Sequence, residues 1–142
     1  MSTEDNKALV QRMIQLQVNG DLNTVDQILA PNWVDHHPPM PLPQGYEGFQ
    51  QLTMAFRSAF PDMRIEIEDM LAEGDKVAAR LHFRGTNSGS FQGMPPTGKT
   101  VEFTATGIFR IVDGKVTDNW VNGDFLGLLQ QLGVVPAPGQ GS

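Results

Sequence analysis

The stretch Asp113-Gly114-Lys115-Val116-Thr117-Asp118-Asn119-Trp120-Val121-Asn122-Gly123-Asp124-Phe125-Leu126-Gly127-Leu128-Leu129-Gln130-Gln131-Leu132-Gly133 decides how the rest of this chain is read. Asp113-Gly114 is a two-residue hairpin signal, because such turns need residues that tolerate a positive φ. Lys115 to Val121 then reads as a strand, and Phe125 to Leu132 as a short apolar helix closed by Gly133 in the left-handed conformation. Asp124 falls where the turn-and-strand unit meets the helix. Upstream, Lys99 to Val112 is the long partner strand, and counting back through the turn sets Arg110 opposite Thr117.

Working outward, Gly85 to Gly98 contains four glycines and two prolines, too many for a regular strand, and predicts a long loop at a sheet end. Before it, Arg64-Ile65-Glu66-Ile67-Glu68 and Lys76 to Arg84 alternate with period two, and Glu73-Gly74-Asp75 turns between them, giving a second antiparallel pair. Ahead of Met63 the period is near 3.6. Ser2 or Thr3 caps a helix with Glu4 and Asp5 in its first turn and Leu9, Val10, Met13 and Leu16 on one face, ending near Gly20. A shorter amphipathic segment with Leu22, Val25, Ile28 and Leu29 stops at Pro31. Asn32 to His37 reads as a strand, and Pro38-Pro39-Met40-Pro41-Leu42-Pro43 as an extended loop, since proline donates no ladder hydrogen bond. Tyr46 to Phe60 gives a third helix, and Met13 and Met54 read as gap fillers facing the sheet. The resulting α+β class is a curved antiparallel sheet covered by three N-terminal helices plus a short C-terminal one, a cone with an open mouth. Residues 1–133 form a single domain, and 134–142, rich in proline and glycine, a disordered tail.

With 142 residues and 39% hydrophobic content, the chain suffices for one core and not for two. The net charge of -6 and the absence of any basic cluster argue against nucleic acid and anionic membranes as partners. No cysteine is present, which removes disulfides and thiolate chemistry. The acidic, polar start and the lack of a long apolar run leave a cytoplasmic location with no membrane association as the expectation.

Several blocks, in order, resemble the SnoaL-like polyketide cyclases, also called ester cyclases, within the fold that includes nuclear transport factor 2 and ketosteroid isomerase. They are Trp33-Val34-Asp35-His36-His37-Pro38, Gly45-Tyr46-Glu47-Gly48, Phe60-Pro61-Asp62-Met63, Gly74 to Arg80, Gly85-Thr86, Phe91 to Lys99, and Asp113-Gly114-Lys115 through Trp120, Asp124 and Gln131-Leu132-Gly133. The resemblance implies the cone-shaped fold and closure of a polyketide ester ring by intramolecular aldol condensation without metal or organic cofactor. It also implies that Asp124 is the catalytic aspartate. One departure is Asn87, where many relatives carry histidine.

Aldol closure needs a base beside a carbonyl and donors for the enolate oxygen. Asp124 suits the first role if Trp120, Phe125 and Leu128 desolvate it, and it equally suits plain capping of the helix at Phe125. His37, ending a strand beside the prolines, is the second catalytic candidate, while His36 reads as structural. The adjacent histidines point to opposite faces and cannot share a metal, so no metal is expected. Trp33, His82, Arg110 and Trp120 are candidates to contact substrate. For Arg110 parity leaves two options, because Val101, Phe103, Ala105, Phe109 and Ile111 form an equally continuous face; apolar surface on both sides would favour a homodimer or higher homo-oligomer. The leading expectation is a cofactor-independent cyclase acting on a small carbonyl or polyketide-like substrate. Isomerisation or epoxide hydration with the same carboxylate, and ligand binding without turnover, are the alternatives.

Overall fold

A computed structural model describes residues 2–136 of the chain; of the expected tail, 134–136 fall within this range and the rest lies outside the described residues. The elements run α1 (Thr3–Asn19), a 3₁₀ turn (Leu22–Gln27), β1 (Leu29–Asp35), α2 (Gly45–Ala59), β2 (Arg64–Glu73), β3 (Lys76–Thr86), β4 (Thr100–Val112), β5 (Lys115–Gly123) and α3 (Phe125–Leu132). Ser2 caps α1 with a full capping box, its hydroxyl accepting the Asp5 N–H while the Asp5 carboxylate accepts the Ser2 N–H. The second of the three expected N-terminal helices is only the 3₁₀ turn. From Leu29 the chain enters the sheet instead, and Pro31 sits on an edge strand within a register shift between Leu29 and Val34, where a missing N–H costs nothing.

The strands are ordered β1-β5-β4-β3-β2, with β1 parallel to β5 and every other pair antiparallel. Cross-strand partners share a face, so the register sorts the side chains. Val77, Phe109 and Asn119 lie in one inner row, and Leu81 and Ala105 in another. The outer face carries Arg80, His82, Ile108 and Arg110. The set Val101, Phe103, Ala105, Phe109 and Ile111 is therefore the inner one, and Arg110 turns outward.

The helices α1 and α2 pack on the inner face, α1 against β2 and β3 and α2 against β1, while α3 closes on β4. One apolar cluster joins Leu9, Val10, Met13, Trp33, Phe49 and Val116. The other gathers Phe60, Phe83, Phe91, Phe103 and Leu128 at the opposite end, with Phe83 and Phe103 stacked at 4.7 Å and Phe60 edge-on to Phe83 at 5.3 Å. Met13 fills the core as expected, but Met54 is 60% exposed, since it lies on the α2 face turned from the sheet. No helix among the described residues is long and apolar enough to cross a membrane.

The proline segment lies directly on α2. At Gly48 a Cβ would overlap the Pro43 carbonyl oxygen, so only glycine lets the helix and this loop meet. We expect Gly48→Ala to lower stability by about 1–3 kcal/mol, the usual cost of overpacking against backbone, read as a lower melting temperature.

Candidate functional site

Between α1, α2 and the inner sheet face lies a cavity of about 120 Å³. A single water needs only ~10–15 Å³ of such space, so this is room for a ligand and not a packing defect. Its wall is mostly apolar, with Leu52, Phe56, Phe83, Phe103, Phe109 and Phe125 contributing, and its polar side chains are Gln17, Asp35, His37, Thr53 and Asn119.

Asp35 ends β1 beside Asn119 of β5, its register partner across the parallel pair. Neighbouring strands are ~4.8 Å apart, so the carboxylate and the amide stand side by side at the cavity wall. Burial raises the Asp35 pKa above its ordinary value by penalising the charged form. The His37 backbone N–H, donating to Oδ1 at 3.1 Å, and the positive character of His37 and His36 oppose that rise without cancelling it. Asn119 is buried, and its Oδ1 accepts the Trp33 indole N–H at 3.1 Å. This bond fixes the amide orientation and leaves Nδ2 as its free donor group.

His37 is exposed and lines the cavity with Pro39, at the point where β1 has ended and the prolines begin. The other residues expected to meet substrate lie elsewhere. Asp124 is exposed, and its Oδ1 accepts the Gly127 N–H at 2.9 Å as the cap of α3; it does not line the cavity. Trp33 is fully buried behind the wall, edge-on to Phe49 at 5.6 Å, and acts on the cavity through Asn119. Trp120 faces outward and stacks on His36 at 4.6 Å, and His36 also pairs with Asp118 at 2.8 Å. Arg110 is outward too, its Nε donating to Asp75 at 3.0 Å. His82 stands on the same outer face, 3.6 Å from Glu102. With Glu66 and Glu68 it brings three potential ligand atoms within 4.8 Å of one another, on the side away from the cavity.

For Trp120 the cause is a bulge. A regular hairpin would pair Arg110 with Thr117, yet Arg110 pairs with Asp118 while Ile111 still pairs with Val116. Thr117 is the extra residue, and beyond it every side chain of β5 exchanges faces. Trp120 is carried outward, and Asn119 and Val121 inward. Asp35 carried a local signal, because residues two apart on a strand share a face and Trp33 reads as core. Asn119 carried none.

Asn87 is buried and tied on every side. Its Oδ1 accepts the Thr97 N–H and hydroxyl at 2.9 and 3.0 Å, and its Nδ2 donates to the Gly89 carbonyl at 2.8 Å. It secures the loop between β3 and β4 and does not line the cavity.

Comparison with known proteins agrees with this architecture. The family model described as SnoaL-like polyketide cyclase matches residues 7–132. The chain is similar to the aklanonic acid methyl ester cyclase DnrD of Streptomyces peucetius, with 32% identity over 94% of this chain and 92% of that protein. It is likewise similar to the nogalonic acid methyl ester cyclase of Streptomyces nogalater, 32% identical over 85% of this chain and 92% of that protein. Among solved structures, TsrD from Streptomyces laurentii superposes with a TM-score of 0.86 at 28% identity, covering 95% of this chain and 99% of that one.

Because Asp35 binds its proton more tightly in the folded than in the unfolded chain, its contribution favours folding in acid and is lost as pH rises through the folded value. Asp35→Asn removes the ionisation and keeps an acceptor for the His37 N–H. The variant should melt above the wild type at neutral pH, with the difference shrinking below pH ~4, the ordinary carboxylate value; thermal denaturation across pH measures it.

Proposed function

The chain belongs to the SnoaL-like polyketide cyclase family, and we propose that it closes a ring in a small polyketide-like ester by intramolecular aldol chemistry, with Asp35 as the acid and base. The observation that carries this reading is the raised Asp35 carboxylate standing beside a buried, oriented amide donor in an apolar cavity. Burial brings a carboxylate toward the working pH and makes it a stronger base once ionised.

Asp35 takes a proton from the carbon next to a carbonyl, breaking the C–H bond and leaving an enolate. Asn119 Nδ2 donates a hydrogen bond to the enolate oxygen, and His37 at the mouth offers a second donor. The enolate carbon attacks a second carbonyl of the same molecule, forming the C–C bond. The new alkoxide recovers the proton from Asp35, which returns as carboxylate. Base and donors are enough for this cycle, and neither a metal nor an organic cofactor takes part. Epoxide hydration by a water held between aspartate, asparagine and arginine finds no support, since Arg110 lies on the outer face.

The test is turnover of aklanonic acid methyl ester, the compound in the name of a relative, followed by chromatography of the cyclised product. Asp35→Asn should lower the rate roughly 10²–10⁴-fold, the usual worth of a general base. Asp124→Asn should leave the rate nearly unchanged. The reverse pattern would return the base to Asp124, and no turnover by the wild type would favour ligand binding alone.

Self-association is also proposed, along an outer row formed by Leu71, Ala78, Ile108 and Trp120, which are consecutive register partners across β2, β3, β4 and β5. Leu71 is 73% and Ile108 42% exposed, unusual for large apolar side chains. Sedimentation should show a dimer that Ile108→Glu converts to monomer.

A further inference from the structure

Two buried side-chain polar atoms among the described residues have no hydrogen-bond partner, Asn6 Oδ1 and Thr53 Oγ1. Asn6 is remote from the cavity, but Thr53 lines it. Thr53 belongs to α2, one turn after Phe49 and three residues before Phe56, and is 2% exposed. A threonine inside a helix commonly returns its hydroxyl to the carbonyl four residues back. Here that bond is not made, and the hydroxyl is left buried and unpaired on an otherwise apolar helix wall. Leaving such a group unsatisfied costs stability, and unlike Asn6 Oδ1 the Thr53 hydroxyl lies at a cavity from which a ligand oxygen can satisfy it.

We propose that Thr53 is a second oxygen-binding position of the cavity, reached from the helix side, while Asp35 and Asn119 act from the sheet side. The ligand then carries two separated oxygen functions on a flat, largely apolar frame: a carbonyl at the Asp35–Asn119 pair and a further hydroxyl or carbonyl that exchanges a hydrogen bond with Thr53 Oγ1. The aromatic wall of Phe56, Phe83 and Phe103 suits the frame. This inference rests on the cavity being the ligand site, and not on Asp35 acting as a base.

Two probes separate the contributions, 2-naphthol with one oxygen and 2,6-dihydroxynaphthalene with one at each end. By titration calorimetry the wild type should bind the dihydroxy compound about fivefold more tightly, the ratio expected from one net hydrogen bond. Thr53→Val should abolish that preference and leave 2-naphthol affinity nearly unchanged. Thr53→Ser should retain the preference, and Thr53→Ala, which removes the hydroxyl without a branched replacement, should lose it as Thr53→Val does. A wild type that does not prefer the dihydroxy probe, or a folded Thr53→Val or Thr53→Ala that still does, overturns the proposal. Asp35→Asn tells the two ideas apart. If it keeps full turnover while the Thr53-dependent preference stands, only the base assignment falls; if it loses turnover while Thr53→Val keeps the preference, only the Thr53 assignment falls.

Discussion

The cavity depends on a single extra residue in β5. Side chains on a strand alternate faces, so a bulge at Thr117 reverses the identity of everything that follows it. Asn119 is thereby turned to the inner face, where it meets the Trp33 indole and stands beside Asp35. Trp120 is turned out, where it covers His36, and Asp118 pairs with the same imidazole. One local irregularity thus supplies the inside with a fixed amide and ties the outside of β1 to β5.

That second function matters because β1 is an edge strand joined to the sheet by one neighbour. Its parallel pairing is irregular around Pro31, and the Trp33–Asn119 bond and the His36–Asp118 pair hold its C-terminal half from both faces. Asp35 lies between them. Its position is therefore set by neighbours in sequence that face opposite ways, which is how an acidic side chain is kept in an apolar wall against its tendency to hydrate. The raised pKa of Asp35 is a cost to the folded state at neutral pH. Such local costs are characteristic of sites kept for chemistry and not for stability.

The two loops at the open end are built with equal economy. Gly48 lets the proline segment rest on α2, and Asn87 gathers the loop between β3 and β4 through both ends of its amide. That loop delivers Phe91 into the second apolar cluster, 5.4 Å from Phe56 and 5.6 Å from Phe60, and Gln92 donates to the Pro39 carbonyl at 3.0 Å. Asn87 thus has a structural task away from the cavity, whose wall carries Asp35 and His37.

Much of this was legible from the sequence because its causes are local. The Asp113-Gly114 turn, the change of period at Met63, the Ser2 cap and the Gly133 stop each follow from backbone preferences of a few adjacent residues, and together they yield the α+β cone; His37 at the mouth followed from the prolines after it. The segment from Leu22 to Leu29 differs from its sequence pattern because its apolar spacing fits both a helix and a strand entering a core, and pairing at the sheet edge makes Leu29 onward a strand. The faces of β5 could not be obtained this way. Parity holds only while pairing is regular, and nothing in Thr117-Asp118-Asn119 announces a bulge. Which residues reach the cavity, Asp35 and Asn119 and not Asp124, Trp120 and Arg110, was decided by the tertiary structure, because it depends on an irregularity in the β4–β5 pairing and on the β1–β5 register, which joins positions more than eighty residues apart.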